Sequence, residues 1–325
     1  MRYVIPGFEH VPGVSCGPTS VRDVLAARGL NLTEAMVFGL GSGLGFYLFR
    51  SETGLSRSFV GRTLTMEHEV CELLGLSWVE HREPDAARAW QLVKARADSG
   101  VPVVLTTDIK FLPYYDTQTS YNGHRVVLAG HDLERDLAFV ADTERPGLID
   151  VALPDLARAR GSEAFMAGHH DHSWFEIEGE LPKDVASLVP EAVRRAGVRI
   201  LEDPSGFGGV AALDDFARDL ADWPKLHDFA KCAKEGFLAI EKRGTGGGCF
   251  RALFAQFLDE AQRLQPNLPL APIAHAYREL AWQWGELATA MRLASQDGAW
   301  DGVPAHATGI AERERELAEK LAKLS

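Results

Sequence analysis

Short amphipathic segments alternate with β-branched runs in the first half of the chain. Residues 17–28 place apolar side chains at helical spacing and end at Gly29, a residue type that commonly follows the last turn of a helix. Two further segments, near 62–74 and 84–98, have the same spacing and also end at glycine. We therefore expect three short helices in this region.

Strand patterns follow these helices. The runs 101–108, 124–132 and 137–143 are apolar and β-branched, and turn residues separate them. The segment DLERD (132–136) is typical of the turn of a hairpin that joins the last two runs. With a further run at 174–179, these segments predict an antiparallel sheet packed on the helices.

Beyond residue 180 the pattern becomes almost entirely helical. A chain of 325 residues exceeds the roughly 100–200 residues that one domain usually holds, so we expect two domains. The predicted fold is α+β, with a domain of helices and antiparallel sheet over residues 1–180 and an all-α domain over 181–325. The helical segments of the second domain lie near 184–201, 210–222, 225–242, 249–264, 272–296 and 308–324.

Composition is that of an ordinary globular protein, with 46% apolar and 25% charged residues. No apolar run reaches the roughly 18 residues of a membrane span, and the start MRYVIPGFEH does not resemble a signal peptide. We therefore expect a cytoplasmic protein without a membrane partner. The four cysteines form no CxxC pair and are expected to be free thiols: Cys16, Cys71, Cys232 and Cys249.

Charge narrows the choice of partners. A formal net charge of −12 argues against nucleic acid, whose binding depends on clustered lysine and arginine. The same charge favours long-range attraction of a cationic small molecule such as a polyamine.

The strongest chemical signal is Cys16. It follows a Pro-Gly turn and precedes Gly17, where the first helix begins, so its sulfur is expected at a helix N-terminus. The helix macrodipole and the free N–H groups there stabilise the thiolate, which is the reactive form of cysteine. The other three cysteines are expected to be packing residues.

A nucleophilic thiolate needs an imidazole and a group that orients it. His124 begins one strand of the predicted hairpin, and Asp142 ends the other. A hairpin turn near 132–136 brings these two positions side by side, so the carboxylate can hold the imidazole while the imidazole acts on the sulfur. His131 and Asp132 are an alternative acid–base pair, but they fall at the turn and are expected to be hairpin residues.

These motifs resemble those of two groups of proteins. Cys-Gly opening a helix, Gly-His in a strand and Asp ending the next strand resemble papain-like peptidases that process bacteriocin leaders. The longer motifs resemble the butirosin-biosynthesis protein H type over most of the chain: FEHVPGVSCGPTSVRDVL, EAMVFGLGSGLGF, YNGHRVVLAGHD, VADT and RGTGGGCFR.

This resemblance implies a papain-like first domain and a Cys-His-Asp acyltransferase. In butirosin assembly such an enzyme takes an acyl group from an acyl carrier protein thioester and delivers it to an amine of an aminoglycoside. The matching positions imply Cys16 as nucleophile, His124 as general base and acid, and Asp142 as the orienting residue. No cofactor is implied beyond phosphopantetheine on the carrier partner.

The peptidase relatives usually have glutamine six residues before the cysteine, as a donor to the oxyanion. Here that position is His10, whose imidazole can also donate one hydrogen bond. We therefore take His10 as the candidate side-chain donor of the oxyanion hole.

Three other motifs carry weaker signals. In GLGSGLG (39–45), which departs from the dinucleotide-binding pattern, Gly41, Ser42 and Gly43 are expected to form a wall of the substrate cleft or a plain turn. RGTGGG (243–248), with Arg243, would either bind an anion such as a pantetheine phosphate or form an interhelical loop. HHDH (169–172) lacks a second group of ligands, so we expect a polar loop and no metal.

The leading hypothesis is acyl transfer through a Cys16 thioester, from a carrier-bound or otherwise activated donor to an amine. An amidase, peptidase or cyclising hydrolase would use the same three residues, because it differs only in how well water is excluded. A non-catalytic binding module is the third alternative. The charge-rich segment 308–324 is expected to be either a solvated terminal helix or a surface that pairs with a second subunit.

Overall fold

The structure is a computed structural model that describes residues 2–164 and 170–324. The chain forms two compact units, and each is assembled from two separate stretches of sequence. The sheet unit comprises Met1–Val37 and Gly75–Leu181, and the helical unit comprises Phe38–Leu74 and Pro182–Ser325. The α+β class predicted from the sequence is confirmed. The contiguous division into 1–180 and 181–325 needs one correction, because residues 38–74 group with the C-terminal helices.

The helices and strands follow one another in this order: β1 (Arg2–Val4), α1 (Cys16–Ala27), α2 (Glu34–Leu40), β2 (Leu44–Arg50), β3 (Arg57–Arg62), α3 (Met66–Leu73), β4 (Ser77–His81), α4 (Ala86–Asp98), β5 (Val103–Thr107), β6 (His124–Asp132), β7 (Leu137–Ala141), β8 (Ile149–Ala152), α5 (Leu153–Arg160), β9 (Trp174–Glu178), α6 (Val189–Leu201), α7 (Gly209–Asp219), α8 (Phe229–Glu241), α9 (Arg251–Leu264), α10 (Ala271–Asp297) and α11 (Val303–Ala322).

An antiparallel sheet forms the centre of the sheet unit. Among the described residues it has seven strands, in the order β4-β9-β5-β6-β7-β8, and β1 pairs with β6. Helices α4 and α5 contribute Val93 and Leu156 to a buried apolar cluster with Val126 and Leu128 of β6. The hairpin β6–β7 has its turn where the sequence predicted it. The pattern missed β4 and β8, which are short and only partly buried, so neither carries a continuous apolar run.

The helical unit contains a β-hairpin that the sequence did not predict. Strands β2 and β3 pair with each other, and α3 is therefore shorter than the predicted segment 62–74. Phe46 of β2 and Phe59 of β3 pack against Phe216 of α7 and Trp284 of α10. Burial of these large aromatic faces explains why the hairpin belongs to the helical unit.

The C-terminal helix α11 is part of this core and not a solvated end. Its residues Ile310, Leu317 and Leu321 are buried, and it packs against α6, α7 and α10. The expectation of a solvated terminal helix is therefore corrected, because the apolar face of α11 is covered within the unit. No helix among the described residues combines the length and apolar character needed to cross a membrane.

Candidate active site

Cys16 is the first residue of α1. Ser15 before it has extended backbone, with φ −125° and ψ 129°, so the helix starts at the sulfur-bearing residue. The first N–H groups of a helix have no intrahelical acceptor, and together with the macrodipole they favour negative charge there. Cys16 is partly exposed, whereas the other three cysteines are buried. The one cysteine that a substrate can reach therefore lies where a thiolate is stabilised.

The loop that leads into this helix is held by Glu34. Its carboxylate accepts hydrogen bonds from the backbone N–H of Val14 at 2.9 Å and of Ser15 at 2.7 Å. It also accepts one from the Thr19 hydroxyl at 3.1 Å. Residues before and after the cysteine are thus tied to one half-buried carboxylate.

His124 and Asp142 are brought together by the β6–β7 hairpin. His124 is the first residue of β6, and Asp142 comes directly after the last residue of β7. Because the strands are antiparallel, these positions lie at the same edge, and His124 Nε2 donates to Asp142 Oδ1 at 2.8 Å. Both side chains are buried. This is the juxtaposition that the hairpin pattern predicted.

The ring of His124 also hydrogen-bonds with Cys16. Since Nε2 is committed to Asp142, Nδ1 is the nitrogen left for the sulfur. Burial alone would lower the pKa of His124, but attraction to the Asp142 carboxylate and the hydrogen bonds to Asp142 and Cys16 raise the pKa to about 10. Burial opposes ionisation of Asp142 as well, yet His124 and the hydrogen bonds to its carboxylate hold its pKa below the ordinary value. An imidazolium beside the sulfur favours the thiolate.

Two tyrosines complete the surroundings of this pair. The Tyr114 hydroxyl donates to Asp142 Oδ2 at 2.7 Å, and the Thr143 hydroxyl donates to Asp142 Oδ1 at 2.9 Å. The Tyr115 hydroxyl lies 3.1 Å from His124 Nε2, and its ring meets the imidazole edge to face at 5.4 Å between centroids. Burial and the nearby carboxylate raise the pKa of both tyrosines, so both stay protonated. They fix the carboxylate and keep solvent from the His–Asp hydrogen bond.

The sequence did not single out these tyrosines. They lie in a short 3-10 turn, Pro113–Tyr115, within a polar loop that carries no period of helix or strand. The Arg145 guanidinium lies over the rings of both tyrosines and donates a hydrogen bond to the Tyr114 carbonyl oxygen at 3.1 Å. A pair of aromatic residues in a loop shortly before the candidate histidine His124 was the available signal.

His10, the candidate oxyanion donor, is held by Asp23 of α1. Its Nδ1 lies 2.6 Å from Asp23 Oδ2, and its side chain is only 1% exposed. Arg22 binds the other carboxylate oxygen at 2.8 Å. His10 Nε2 is buried and has no hydrogen-bond partner among the described residues. With Nδ1 on the carboxylate, Nε2 is the ring nitrogen that remains for a further hydrogen bond.

The glycine-rich turn predicted as a candidate substrate wall is packed inside the helical unit. Gly41, Ser42 and Gly43 are buried, and Ser42 is 1% exposed. A Cβ at Gly41 would lie 2.6 Å from the Met66 carbonyl oxygen, and one at Gly43 would lie 2.5 Å from the ring of Phe38. The structure favours the plain turn of the two interpretations, because close packing already accounts for these glycines.

The second glycine-rich loop is occupied by carboxylates of the same chain. Arg243 forms an ion pair with Glu235. The Gly248 N–H donates to Glu241 Oε1 at 3.1 Å. The donors that the sequence assigned to an anion such as a pantetheine phosphate therefore already bind acidic side chains, which favours the interhelical-loop interpretation.

The remaining polar candidates stand apart from these groups. His131 pairs with Asp98 of α4 at 2.7 Å, and Asp132 accepts from the Glu134 N–H in the hairpin turn, which favours the interpretation of both as hairpin residues. His169 of the HHDH segment lies outside the described residues. Burial raises the pKa of Cys232 to about 11 and that of Cys249 to about 12, in keeping with inert packing thiols.

One group within the described residues brings metal-ligand atoms together. His81, Glu176 and Glu178 have ligand atoms within 4.8 Å of one another, on β4 and β9. Glu176, however, is already paired with Arg96 at 2.5 Å and accepts from the Trp174 indole N–H at 3.2 Å. The guanidinium takes the place of a cation at the most buried of the three groups.

Comparison with known proteins gives two family matches. Residues 15–143 match the family described as Butirosin biosynthesis protein H, N-terminal, and residues 154–321 match a domain of unknown function (DUF4872). No curated protein matches the chain. Among solved structures, the peptidase domain of Streptococcus ComA, a bifunctional ABC transporter involved in a quorum sensing pathway, is 13% identical with a TM-score of 0.34. That match covers 54% of this chain and 99% of the ComA domain.

Proposed function

Because the chain belongs to the family of the DUF4872 domain and has a butirosin biosynthesis protein H type N-terminal domain, we propose that it is a cysteine-dependent acyltransferase. It moves an acyl group from a thioester, or another activated donor, to an amine acceptor in the biosynthesis of a specialised metabolite. The observation that carries this proposal is the continuous contact from Cys16 through His124 to Asp142, at the start of a helix.

In the first half-reaction the Cys16 thiolate attacks the carbonyl carbon of the donor thioester. The oxyanion that forms lies near the N-terminus of α1, where backbone N–H groups and the His10 ring are the available donors. The tetrahedral intermediate collapses with cleavage of the donor C–S bond. The departing thiolate takes the proton from His124 Nδ1, which leaves an acyl-Cys16 thioester and a neutral imidazole.

In the second half-reaction the neutral imidazole acts as a base. The acceptor amine attacks the acyl-enzyme carbonyl and gives its proton to His124 Nδ1, and the C–S bond to Cys16 breaks. The products are an amide and the original thiolate–imidazolium pair. Asp142 keeps its charge throughout and holds the ring in the orientation that both proton transfers need.

The donor and the acceptor are proposed by class. Family resemblance favours an acyl group on the phosphopantetheine of an acyl carrier protein, with no cofactor of the chain's own. A net charge of −12 favours an aminoglycoside-like or other polyamine acceptor, since an acidic protein attracts a polycation over long range. Hydrolysis by the same three residues is the second candidate, because water and an amine compete for the same acyl-enzyme.

The first test is chemical labelling of the thiol. A substoichiometric dose of iodoacetamide near pH 7 is expected to modify Cys16 before the other cysteines, as seen by intact mass and peptide mapping. His124→Ala should abolish this preference, because the thiolate loses its counter-ion, and Cys71→Ala should leave it unchanged. Equal labelling of all four cysteines, or none at Cys16, would rule out an activated nucleophile and leave a binding module.

The second test separates transfer from hydrolysis. An S-acyl N-acetylcysteamine thioester, which mimics the end of phosphopantetheine, is supplied with and without spermidine or an aminoglycoside. Transfer predicts an acylated Cys16 without amine and an amide whose yield rises with amine, both absent in Cys16→Ala. Free acid formed at the same rate whatever the amine concentration would identify a hydrolase instead.

A further inference from the structure

Arg160 differs from the other buried arginines of the described chain. Arg22 is paired with Asp23, and Arg251 is paired with Glu314. Arg160 is only 3% exposed, yet no carboxylate among the described residues contacts it. A buried charge without a counter-ion costs free energy, and proteins normally avoid this cost by pairing or neutralising the charge.

The guanidinium of Arg160 uses little of its bonding capacity. Arg160 is the last residue of α5, and its Nη2 donates to the His172 carbonyl oxygen at 2.5 Å. Its Nε has no acceptor among the described residues. Burial lowers the pKa of Arg160 to about 10, so the side chain still carries its charge at neutral pH. The partial negative charge at the C-terminus of α5 offsets part of the free-energy cost of burying this charge. It does not supply an anion that could bind the planar guanidinium through two hydrogen bonds.

A cavity of about 200 Å³ adjoins this arginine, between α4 and α5 of the sheet unit. No acidic residue is among the described residues that line it, and its walls are mostly apolar. The volume is below the roughly 300–1,000 Å³ of pockets for drug-sized ligands, so only a small molecule fits. The main lining residues are Ala87, Trp90, Leu153, Leu156, Arg160 and His172.

We propose that this cavity binds a small carboxylic acid. Its carboxylate pairs with the guanidinium of Arg160, and its hydrocarbon body lies against Trp90 and Leu156. The walls favour such an acid over phosphate, because an apolar lining offers no further donors for a second or third anionic oxygen. This site shares no residue with the Cys16, His124 and Asp142 group, so the proposal stands whether or not acyl transfer is correct.

The test compares hexanoate with hexanol on the full chain, by ligand-detected NMR titration. Hexanol has the same hydrocarbon body without the charge, so we expect hexanoate to bind at least about tenfold more tightly. Arg160→Met keeps the volume and removes the charge, and it should bring hexanoate down to the affinity of hexanol. Arg158→Met, on the exposed side of the same helix, is the matched control and should change nothing.

Two further comparisons test the proposal without relying on the Arg160 variant. The comparison of the two ligands on the unsubstituted chain needs no variant, so it stands even if Arg160→Met fails to fold. Protein alkylated at Cys16 should bind hexanoate unchanged. Equal affinity for the two ligands, no saturable binding, or loss of hexanoate binding after alkylation would each overturn the proposal.

Discussion

At the scale of single residues, the candidate site is a series of hydrogen bonds from Cys16 through His124 to Asp142. The Cys16 sulfur and the Asp142 carboxylate both face the ring of His124, so two groups that favour negative charge stabilise one imidazolium. Tyr114 and Thr143 supply further donors to the carboxylate, which keeps it ionised although it is buried. The pair of sulfur and imidazole therefore retains one proton over a wide range of pH.

This proton predicts how stability depends on pH. As the pH rises past about 8.5, the ordinary pKa of cysteine, an unfolded chain loses its cysteine proton and has already lost that of an ordinary histidine. The folded chain keeps one until the pH passes about 10, the pKa of His124. The folded state therefore binds more protons in this window, and the free energy of unfolding falls as pH rises, by at most about 1.4 kcal/mol per pH unit.

Urea denaturation of the unsubstituted chain and of His124→Asn, from pH 8 to 10.5, measures this dependence. The variant has no titrating imidazole, so its stability should fall less steeply than that of the unsubstituted chain between pH 8.5 and 10. Parallel curves for the two proteins would show that the proton is not held at His124.

At the scale of elements, the loop before α1 decides where the sulfur lies. Glu34 binds two backbone N–H groups of this loop, and the Gly13 N–H donates to the Thr143 carbonyl at 2.7 Å. The loop is thus tied both to the chain that follows α1 and to the residue next to Asp142. Gly13 has no room for a side chain, since a Cβ would lie 2.1 Å from Thr19 Oγ1 and 2.8 Å from Glu34 Oε2.

Gly13→Ala should therefore displace the loop and the start of α1. We expect a loss of stability of about 1–3 kcal/mol from the overlap, and a fall of about tenfold or more in the rate of Cys16 alkylation. Denaturation and labelling kinetics check the two effects. Gly54→Ala is the control, because a Cβ there meets only Ser51 Oγ at 3.5 Å. An alkylation rate in Gly13→Ala equal to that of the control would show that the loop does not position the sulfur.

At the scale of the whole molecule, one buried arginine joins the two stretches of the helical unit. Arg251 of α9 binds Glu314 of α11 at 2.5 Å, and both side chains are fully buried. The same guanidinium donates to the Gly61 carbonyl at 2.7 Å and to the Gly45 carbonyl at 3.2 Å, both in the β2–β3 hairpin. Residues some two hundred positions apart therefore meet on a single side chain.

Removal of this arginine should weaken the whole unit. Arg251→Met leaves the Glu314 carboxylate buried without its counter-ion, and we expect a loss of about 3–5 kcal/mol in the free energy of unfolding. Arg313→Met, whose partner Glu316 is half exposed, should cost less than about 1 kcal/mol. Urea denaturation followed by tryptophan fluorescence gives both values. If Arg251→Met loses no more free energy of unfolding than Arg313→Met, Arg251 does not hold the two stretches of the helical unit together.

Features that depend on residues close together in the sequence could be predicted, whereas contacts between distant residues could not. The helix at Cys16 and the β6–β7 hairpin depend on residues that are neighbours in sequence, so periodicity and turn residues were enough to place His124 beside Asp142. Tyr115 and Asp23 reach the site through loops and a helix face that carry no such period. The contacts of Tyr115 with His124 and of Asp23 with His10 could be identified only from the folded structure.

Local spacing along the chain was enough to predict the α+β class, the start of α1 at the cysteine and the hairpin that carries the histidine and aspartate. Three features emerged only from the folded chain. Residues 38–74 group with the helical unit, Glu241 and Glu235 bind donors of the second glycine-rich loop, and Arg160 is buried with no carboxylate contact among the described residues. These features could not be predicted because burial and charge pairing depend on contacts between residues that are distant in the sequence, and a pattern along the chain does not encode such contacts.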